Sequence, residues 1–194
     1  FELCDTLILT DIYPSLREKP DPSVSSKNLA QAVRRFHKEV LFLIETLPKN
    51  DVQNWPNLAG RFNPQPTENI SPDLIMKLAQ SGQWVTNDFG HTAAAWATAD
   101  LNQLWHNVYT VSQHLAPQTK LVHLNTVHPP FNGTDSHGGV LPEDFAVGVF
   151  PNRDQIIELL RLYKHRDDVW IIPEPPAETM VANYHAIKTL LQEI

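Results

Sequence analysis

The sequence predicts an α/β fold built on a parallel sheet. Five short apolar segments alternate with segments whose apolar residues recur at helical spacing. The strand candidates are continuous apolar runs, as in sheets covered by helices on both faces. Alternating strands and helices connect by right-handed crossovers, which makes the strands parallel. No glycine-rich phosphate fingerprint follows a strand candidate, and this argues against a nucleotide-binding doubly wound sheet.

The predicted strands are rich in leucine, isoleucine, valine and aromatic residues, and turn or loop residues flank them. In chain order they are Leu3–Ile12, Val40–Ile44, Gln83–Thr86, Lys120–Leu124 and Val169–Pro173. A long segment with several prolines, residues 48–71, follows the second strand, and another irregular segment, residues 128–150, follows the fourth. Such segments are typical of functional loops, and we expect substrate specificity to reside there.

The predicted helices each carry one apolar face. In chain order they are Lys27–Glu39, Pro72–Gln80, Thr98–Leu115, Asn152–Lys164 and Glu178–Ile194. The second is the best defined, because Ser71 is a good cap, Pro72 suits the first helical position and Gly82 ends the helix. In the third, Leu101, Leu104 and Val108 recur on one side.

Composition excludes several classes of function. The chain has 194 residues, with 15 basic against 22 acidic side chains and a net charge of -7. This charge argues against a nucleic-acid partner. One cysteine, Cys4, indicates a reduced cytoplasmic environment without a disulfide. We find no membrane span or signal peptide in the sequence. The start at Phe1, close to an apolar run, predicts that the chain is the C-terminal part of something longer.

Metal-ligand residue types stand at the ends of the predicted strands. They are Asp11, Glu45, Asp88, His123 and Glu174. His91 follows Asp88 by three residues, and a polar loop supplies Asp135 and His137. Each alone has an ordinary explanation: a helix cap for Asp88, surface ion pairs for the glutamates, a turn for Asp135. Together, at one edge of a parallel sheet, they predict a divalent metal site for Zn, Mn, Fe, Co or Mg.

The candidate ligands follow one order along the chain: Glu45, Asp88, His91, His123, Asp135, His137 and Glu174. This order resembles the xylose-isomerase-like TIM barrels, which include endonuclease IV and the sugar isomerases and epimerases. The resemblance covers nearly the whole chain. It implies that residues 1–194 form a single domain, the C-terminal five β–α units of an eight-stranded (β/α) barrel.

Two members of that superfamily imply different sites. The ketose 3-epimerases imply a single-metal quartet of Glu45, Asp88, His123 and Glu174, with His91 on the substrate side. Endonuclease IV implies a multi-metal site in which Glu45 bridges and the Asp135/His137 pair binds a further cation. The chain departs from endonuclease IV where Phe89-Gly90 replaces Thr-Cys, where Ser136 replaces arginine, and where Gly139-Val140 replaces Glu-Gly.

The first functional hypothesis is a metal-dependent sugar or sugar-phosphate isomerase or epimerase acting through an enediolate. Glu45 and Glu174 would be its general base and acid, and His91 would hold an oxygen of a small sugar or polyol substrate. The alternatives are an endonuclease IV-like phosphodiesterase, a dehydratase or other lyase on the same barrel, and a binding module without chemistry. The sequence leaves monomer and homo-oligomer both open.

Overall fold

A computed structural model describes residues 6–8, 31, 41–49 and 71–194 of the chain, and residues 6–8 by their backbone alone. The strand candidate Leu3–Ile12 is therefore described only over its middle, and Asp11 lies outside the described residues. Of the predicted helix Lys27–Glu39 only Gln31 is described, and it is helical and exposed. Most of the proline-rich segment 48–71 lies outside the described residues.

The described strands form one parallel sheet. In chain order they are β1 (Thr6–Ile8), β2 (Leu41–Glu45), β3 (Val85–Asp88), β4 (Thr119–Leu124) and β5 (Trp170–Pro173). Their order in the sheet is the order along the chain, and each neighbouring pair is parallel. Because the carboxyl ends of parallel strands meet at one edge, residues at the strand ends are brought side by side. The predicted parallel α/β fold is confirmed.

Six α-helices lie in the described part of the chain. They are α1 (Pro72–Gln80), α2 (Phe89–Ala94), α3 (Leu101–Leu115), α4 (Pro142–Ala146), α5 (Arg153–Arg161) and α6 (Met180–Leu191). Short 3-10 turns, Ala116–Gln118 and Ala177–Thr179, precede β4 and α6. No helix in this part of the chain is long and apolar enough to cross a membrane.

Capping side chains set the helix boundaries. Ser71 accepts a hydrogen bond from the backbone N–H of Leu74 and starts α1 at the predicted residue. Asn152 and Gln155 form a reciprocal capping box at the start of α5. The helix predicted from Thr98 begins three residues later, because the Asp100 carboxylate accepts the first free N–H groups of α3.

The third strand lies two residues later than predicted. The backbone N–H of Gln83 bonds the carbonyl of Leu78 at the end of α1, so Gln83 belongs to the turn and not to the sheet. At its other end β3 extends to Asp88, which stands opposite His123 in β4. The following helix α2 was not predicted, because its six residues are too few to show a helical period.

Helices α2, α3, α5 and α6 contribute to one core against the sheet. Its fully buried members include Phe89, Leu104, Val122, Ile156 and Leu159. A second cluster lies between β2, α1 and the end of α3, around Ile75 and Leu115. These contacts fix the strands and their polar ends relative to one another.

Candidate metal centre

The carboxyl edge of the sheet gathers all seven predicted ligands. Glu45 and Asp88 are the last residues of β2 and β3, and His123 lies in β4 opposite Asp88. Glu174 directly follows β5, where its backbone N–H bonds the carbonyl of Leu124 at the end of β4. The remaining three side chains come from α2 and from the loop after β4. Six of the seven divide into two groups of three, and Glu174 lies beside the inner one.

The inner group consists of Glu45, Asp88 and His123. Their ligand atoms lie within 4.8 Å of one another, and all three residues are buried. The Nδ1 atom of His123 lies 3.2 Å from Glu45 Oε1 and 3.5 Å from Asp88 Oδ2. Glu174 Oε1 lies 3.4 Å from the same nitrogen. Three carboxylates therefore face one imidazole nitrogen.

The outer group consists of His91, Asp135 and His137, again with ligand atoms within 4.8 Å of one another. Asp135 Oδ2 lies 2.6 Å from Nε2 of His137 and 3.5 Å from Nε2 of His91. The three residues are partly exposed. The outer group is therefore the more accessible of the two.

Backbone carbonyls orient both histidines of the outer group. Nδ1 of His91 lies 3.0 Å from the carbonyl oxygen of Thr46, and Nδ1 of His137 lies 3.1 Å from that of Glu174. A carbonyl can only accept, so Nδ1 of each ring carries a proton and donates it. In the metal-free protein Nε2 of each ring is protonated as well and faces Asp135, and a bound cation would take the place of that proton. Metal-binding histidines commonly show this arrangement.

Within the loop between β4 and α4, hydrogen bonds join the segment that carries Asp135 and His137 to the residues just after β4. Thr126 and Gly138 exchange two backbone hydrogen bonds of 3.0 and 2.6 Å, and the Thr126 hydroxyl donates to the carbonyl of Gly139. His137 has a positive φ of 38°, a conformation that side chains other than glycine rarely adopt. Asp135 Oδ1 stabilises it by accepting the N–H of His137 at 3.1 Å.

One buried carboxylate oxygen has no hydrogen-bond partner among the described residues. It is Oε2 of Glu45, whose residue is only 4% exposed. Burial of an unpaired carboxylate oxygen is costly. A divalent cation would satisfy it, and the mixed carboxylate and imidazole donors are suitable ligands for such an ion. The inner group thus fits a metal.

Mutual hydrogen bonding sets the ionisation of the inner group. Burial opposes charge on Glu45, but hydrogen bonds from His123 and His91 outweigh burial and lower the pKa of Glu45 to about 2. Burial likewise opposes charge on His123, yet Asp88 and Glu45 raise its pKa to about 10. Burial raises the pKa of Glu174. Without a metal, imidazolium protons hold these carboxylates together.

In the outer group, too, hydrogen bonds and nearby charges outweigh burial in setting the pKa values. The hydrogen bond to Asp135 raises the pKa of His137 to about 9. Burial opposes protonation of His91, but the charge of Asp88 and the hydrogen bonds of Asp135 and Glu45 raise its pKa well above the usual value. The pKa of Asp135 is lowered by its two histidine partners in spite of burial. A cation bound here would replace these protons.

Other histidines lie away from both groups. His106, His114, His165 and His185 are exposed, and His37 is outside the described residues. His128 lies beside Gly138 and belongs to neither group. Sequence reasoning missed Thr46 and Asn125, which bond the ligands or their backbone. Each directly follows a strand, β2 or β4, and that position in the sequence could have marked it as part of the site.

Comparison with known proteins bears on the fold. The crystal structure of endonuclease IV from Thermus thermophilus superposes with a TM-score of 0.55 over 98% of this chain and 62% of that one, at 16% sequence identity. The fold is that of a partial (β/α) barrel. This confirms the predicted fold class, and at this identity the likeness concerns the fold alone.

Comparison of the sequence alone gives weaker matches than comparison of the structure. No protein-family model matches the chain. A UDP-N-acetylmuramate–L-alanine ligase from Lawsonia intracellularis is 34% identical over 74 residues, which are 38% of this chain and 14% of the ligase. The chain thus spans less than two thirds of the length of either protein that it matches.

Proposed function

We propose that the chain carries a multi-metal centre that hydrolyses phosphoester bonds. The observation that supports this best is the division of six ligands into two groups, each with its own carboxylate and histidine donors. A single-metal site in the inner group leaves Asp135 and His137 without a role, whereas His91 also reaches the inner group, where its Nδ1 lies 3.1 Å from Glu45 Oε1. The likeness of the fold to endonuclease IV agrees with this proposal.

Each ligand has a distinct part in the proposed centre. Glu45, Asp88 and His123 would hold an inner cation with Glu174, while His91, Asp135 and His137 would hold an outer one. Oε2 of Glu45, which is unpaired among the described residues, would be available to a cation in the inner group. Bound divalent ions would supply Lewis-acid polarisation of the phosphoryl group and acidify water. The backbone carbonyls of Thr46 and Glu174 would keep the two outer imidazoles in the ligating orientation.

The substrate is proposed to be a small phosphoester and not duplex DNA. The net charge of -7 gives no basis for binding a polyanion. The loop residue between Asp135 and His137 is Ser136, which cannot neutralise a phosphate. Cations in the two groups would then have to supply most of the positive charge that a phosphoester needs.

Hydrolysis of bis(p-nitrophenyl) phosphate and p-nitrophenyl phosphate tests the proposal, with protein loaded with zinc or manganese. We expect turnover in the wild type and loss of at least 100-fold on removing either group, through Asp88→Ala or Asp135→Ala, as for groups that stabilise transition-state charge. The matched control is His185→Ala, an exposed helical histidine. Abasic-site DNA is the third substrate. Absence of turnover with all three substrates contradicts the proposal, and cleavage of the DNA alone contradicts the proposed small substrate.

A second candidate, the sugar isomerase or epimerase, is favoured by one arrangement. Glu45 Oε1 and Glu174 Oε1 both face Nδ1 of His123, at 3.2 and 3.4 Å, so two carboxylates flank one ligand position. Such a pair suits proton removal and return on opposite sides of a substrate. Incorporation of solvent deuterium into a ketose or ketose phosphate would support it, and loss of that exchange in Glu174→Gln would assign the acid.

A further inference from the structure

Asn125 lies directly after β4, two residues beyond His123, and its side chain is completely buried. Its Nδ2 donates to Asp88 Oδ2 at 3.2 Å. Its Oδ1 accepts the backbone N–H of Gly90 at 2.6 Å. One amide therefore connects the end of β4, the carboxylate at the end of β3 and the first turn of α2.

The oxygen that Asn125 holds is the one that faces the inner group. Asp88 Oδ2 lies 3.4 Å from His91 Nδ1 and 3.5 Å from His123 Nδ1. The other oxygen, Oδ1, accepts the backbone N–H of His91 at 2.7 Å and caps α2. Because Oδ1 is fixed by the helix and Oδ2 by the amide, the carboxylate plane cannot turn without breaking one bond.

An amide at position 125 matches the chemistry of its two partners. The N–H of Gly90 can only donate and an ionised carboxylate can only accept, so the bridging side chain must accept at one end and donate at the other. Asparagine does this without a charge that would compete with a cation. The orientation of the amide follows from these two partners alone.

Only a residue without a side chain leaves room at position 90 for the Asn125 amide. A Cβ atom at Gly90 would lie 2.2 Å from Asn125 Oδ1 and 2.8 Å from its Cγ, which no real side chain tolerates. The glycine of the Asp88-Phe89-Gly90-His91 segment is thus explained by the close approach of Asn125.

We infer that Asn125, admitted by Gly90, is a positioning residue that aims the Asp88 carboxylate at the inner cation. This inference rests on the proposed metal centre. Partners that orient metal ligands typically change metal affinity by 10- to 100-fold when they are removed. Asn125 acts through Asp88 and contacts neither cation nor substrate.

The test measures Co²⁺ affinity by chelator competition, and the Co²⁺ absorption spectrum, in full-length protein. A background of Asp135→Ala/His137→Ala restricts the signal to the inner group. Asn125→Ala and Gly90→Ala should each lower the affinity by about 10- to 100-fold and alter the absorption bands, since the ligand geometry changes. If Asn125→Ala does not fold, Asn125→Ser replaces it.

The matched control is Asn87→Ala. Asn87 is an equally buried amide beside Asp88, but its bonds go to the Tyr163 hydroxyl at 3.0 Å and to the Thr92 hydroxyl at 2.9 Å. Its loss should reduce stability and leave the wild-type Co²⁺ affinity and spectrum. If Asn125→Ala behaves like this control, the positioning role is overturned.

A crystal structure of metal-free Asn125→Ala separates this inference from the proposed function. We expect the Asp88 carboxylate to rotate away from its place beside His123. If the wild type binds no metal, the proposed function fails, and the position of Asp88 in the variant still decides whether Asn125 orients it. An unmoved Asp88 would overturn the inference whatever the metal content.

Discussion

Nδ1 of His137 lies 3.1 Å from the backbone carbonyl oxygen of Glu174, while the Glu174 side chain lies 3.4 Å from Nδ1 of His123. One residue after β5 thus contacts both groups of candidate ligands, with its backbone in the outer group and its carboxylate in the inner one. A substitution of Glu174 therefore removes the carboxylate beside His123 but leaves the backbone carbonyl that bonds His137.

Glu174→Ala should therefore affect only the inner group. It deletes the carboxylate near His123 but keeps the carbonyl that orients His137, so the inner cation should bind more weakly and the outer one as before. Chelator titrations that follow each cation check this, with the outer group assigned by its loss in Asp135→Ala. Weakening of both cations to the same degree would contradict the separation.

The backbone of His137 gives a prediction about stability. Because its φ is 38°, His137→Gly should give a metal-free protein about 1 kcal/mol more stable than His137→Ala, since only glycine adopts this conformation without strain. Both variants should lose the outer cation equally. Urea unfolding of the metal-free proteins measures the difference, and equal midpoints would show that the left-handed conformation is not retained.

Metal binding should release protons and strengthen as the pH rises. In the metal-free protein the pKa of His137 is about 9 and that of His123 about 10, so both imidazoles are protonated at pH 7 and a cation must displace those protons. Calorimetry in buffers of different ionisation enthalpy counts them. An affinity for Zn²⁺ independent of pH between 6 and 9 would be the opposite result.

The same pKa shifts determine whether the stability of the metal-free protein rises or falls with pH. The pKa of His123 is raised on folding from 6.5 to about 10, so its contribution is fully present below pH 6.5 and is lost as the pH rises towards 10. The pKa of Glu45 is lowered from 4.5 to about 2, so its contribution is present above pH 4.5 and is lost as the pH falls towards 2. Urea midpoints from pH 6 to 10 should decline in the wild type and decline less in His123→Gln.

Gly138→Ala should displace the loop that carries Asp135 and His137. A Cβ at Gly138 would lie 2.5 Å from the Thr126 hydroxyl and 3.2 Å from its carbonyl oxygen, so the paired backbone hydrogen bonds there cannot keep their geometry. We expect weaker outer binding and an unchanged inner site. Gly148→Ala is the control, because its positive φ imposes strain without a steric contact. Chelator titration compares the two.

Much of the fold could be predicted from the sequence, because β2, β4, β5 and α1 are bounded by strong local signals. The start of β3 could not, since Gln83, which the sequence assigned to the strand, instead bonds α1 and β2 ahead of it. The seven candidate ligands could be named because parallel strands bring their ends together. The place of His91 could not, because α2 sets it between Glu45 and Asp135 and no spacing in the sequence reveals that. Asn125 was missed for the same reason: its role exists only in three dimensions.

The number of cations per chain tests the central claim most directly. Elemental analysis of zinc- or manganese-loaded wild type and of Asp135→Ala/His137→Ala, with His114→Ala/His185→Ala as the control, gives that number. Two separate ligand groups predict at least two cations per chain in the wild type and the control, and the loss of one in the double variant of the outer group. One cation per chain that survives the loss of Asp135 and His137, or none after loading, would contradict the multi-metal centre.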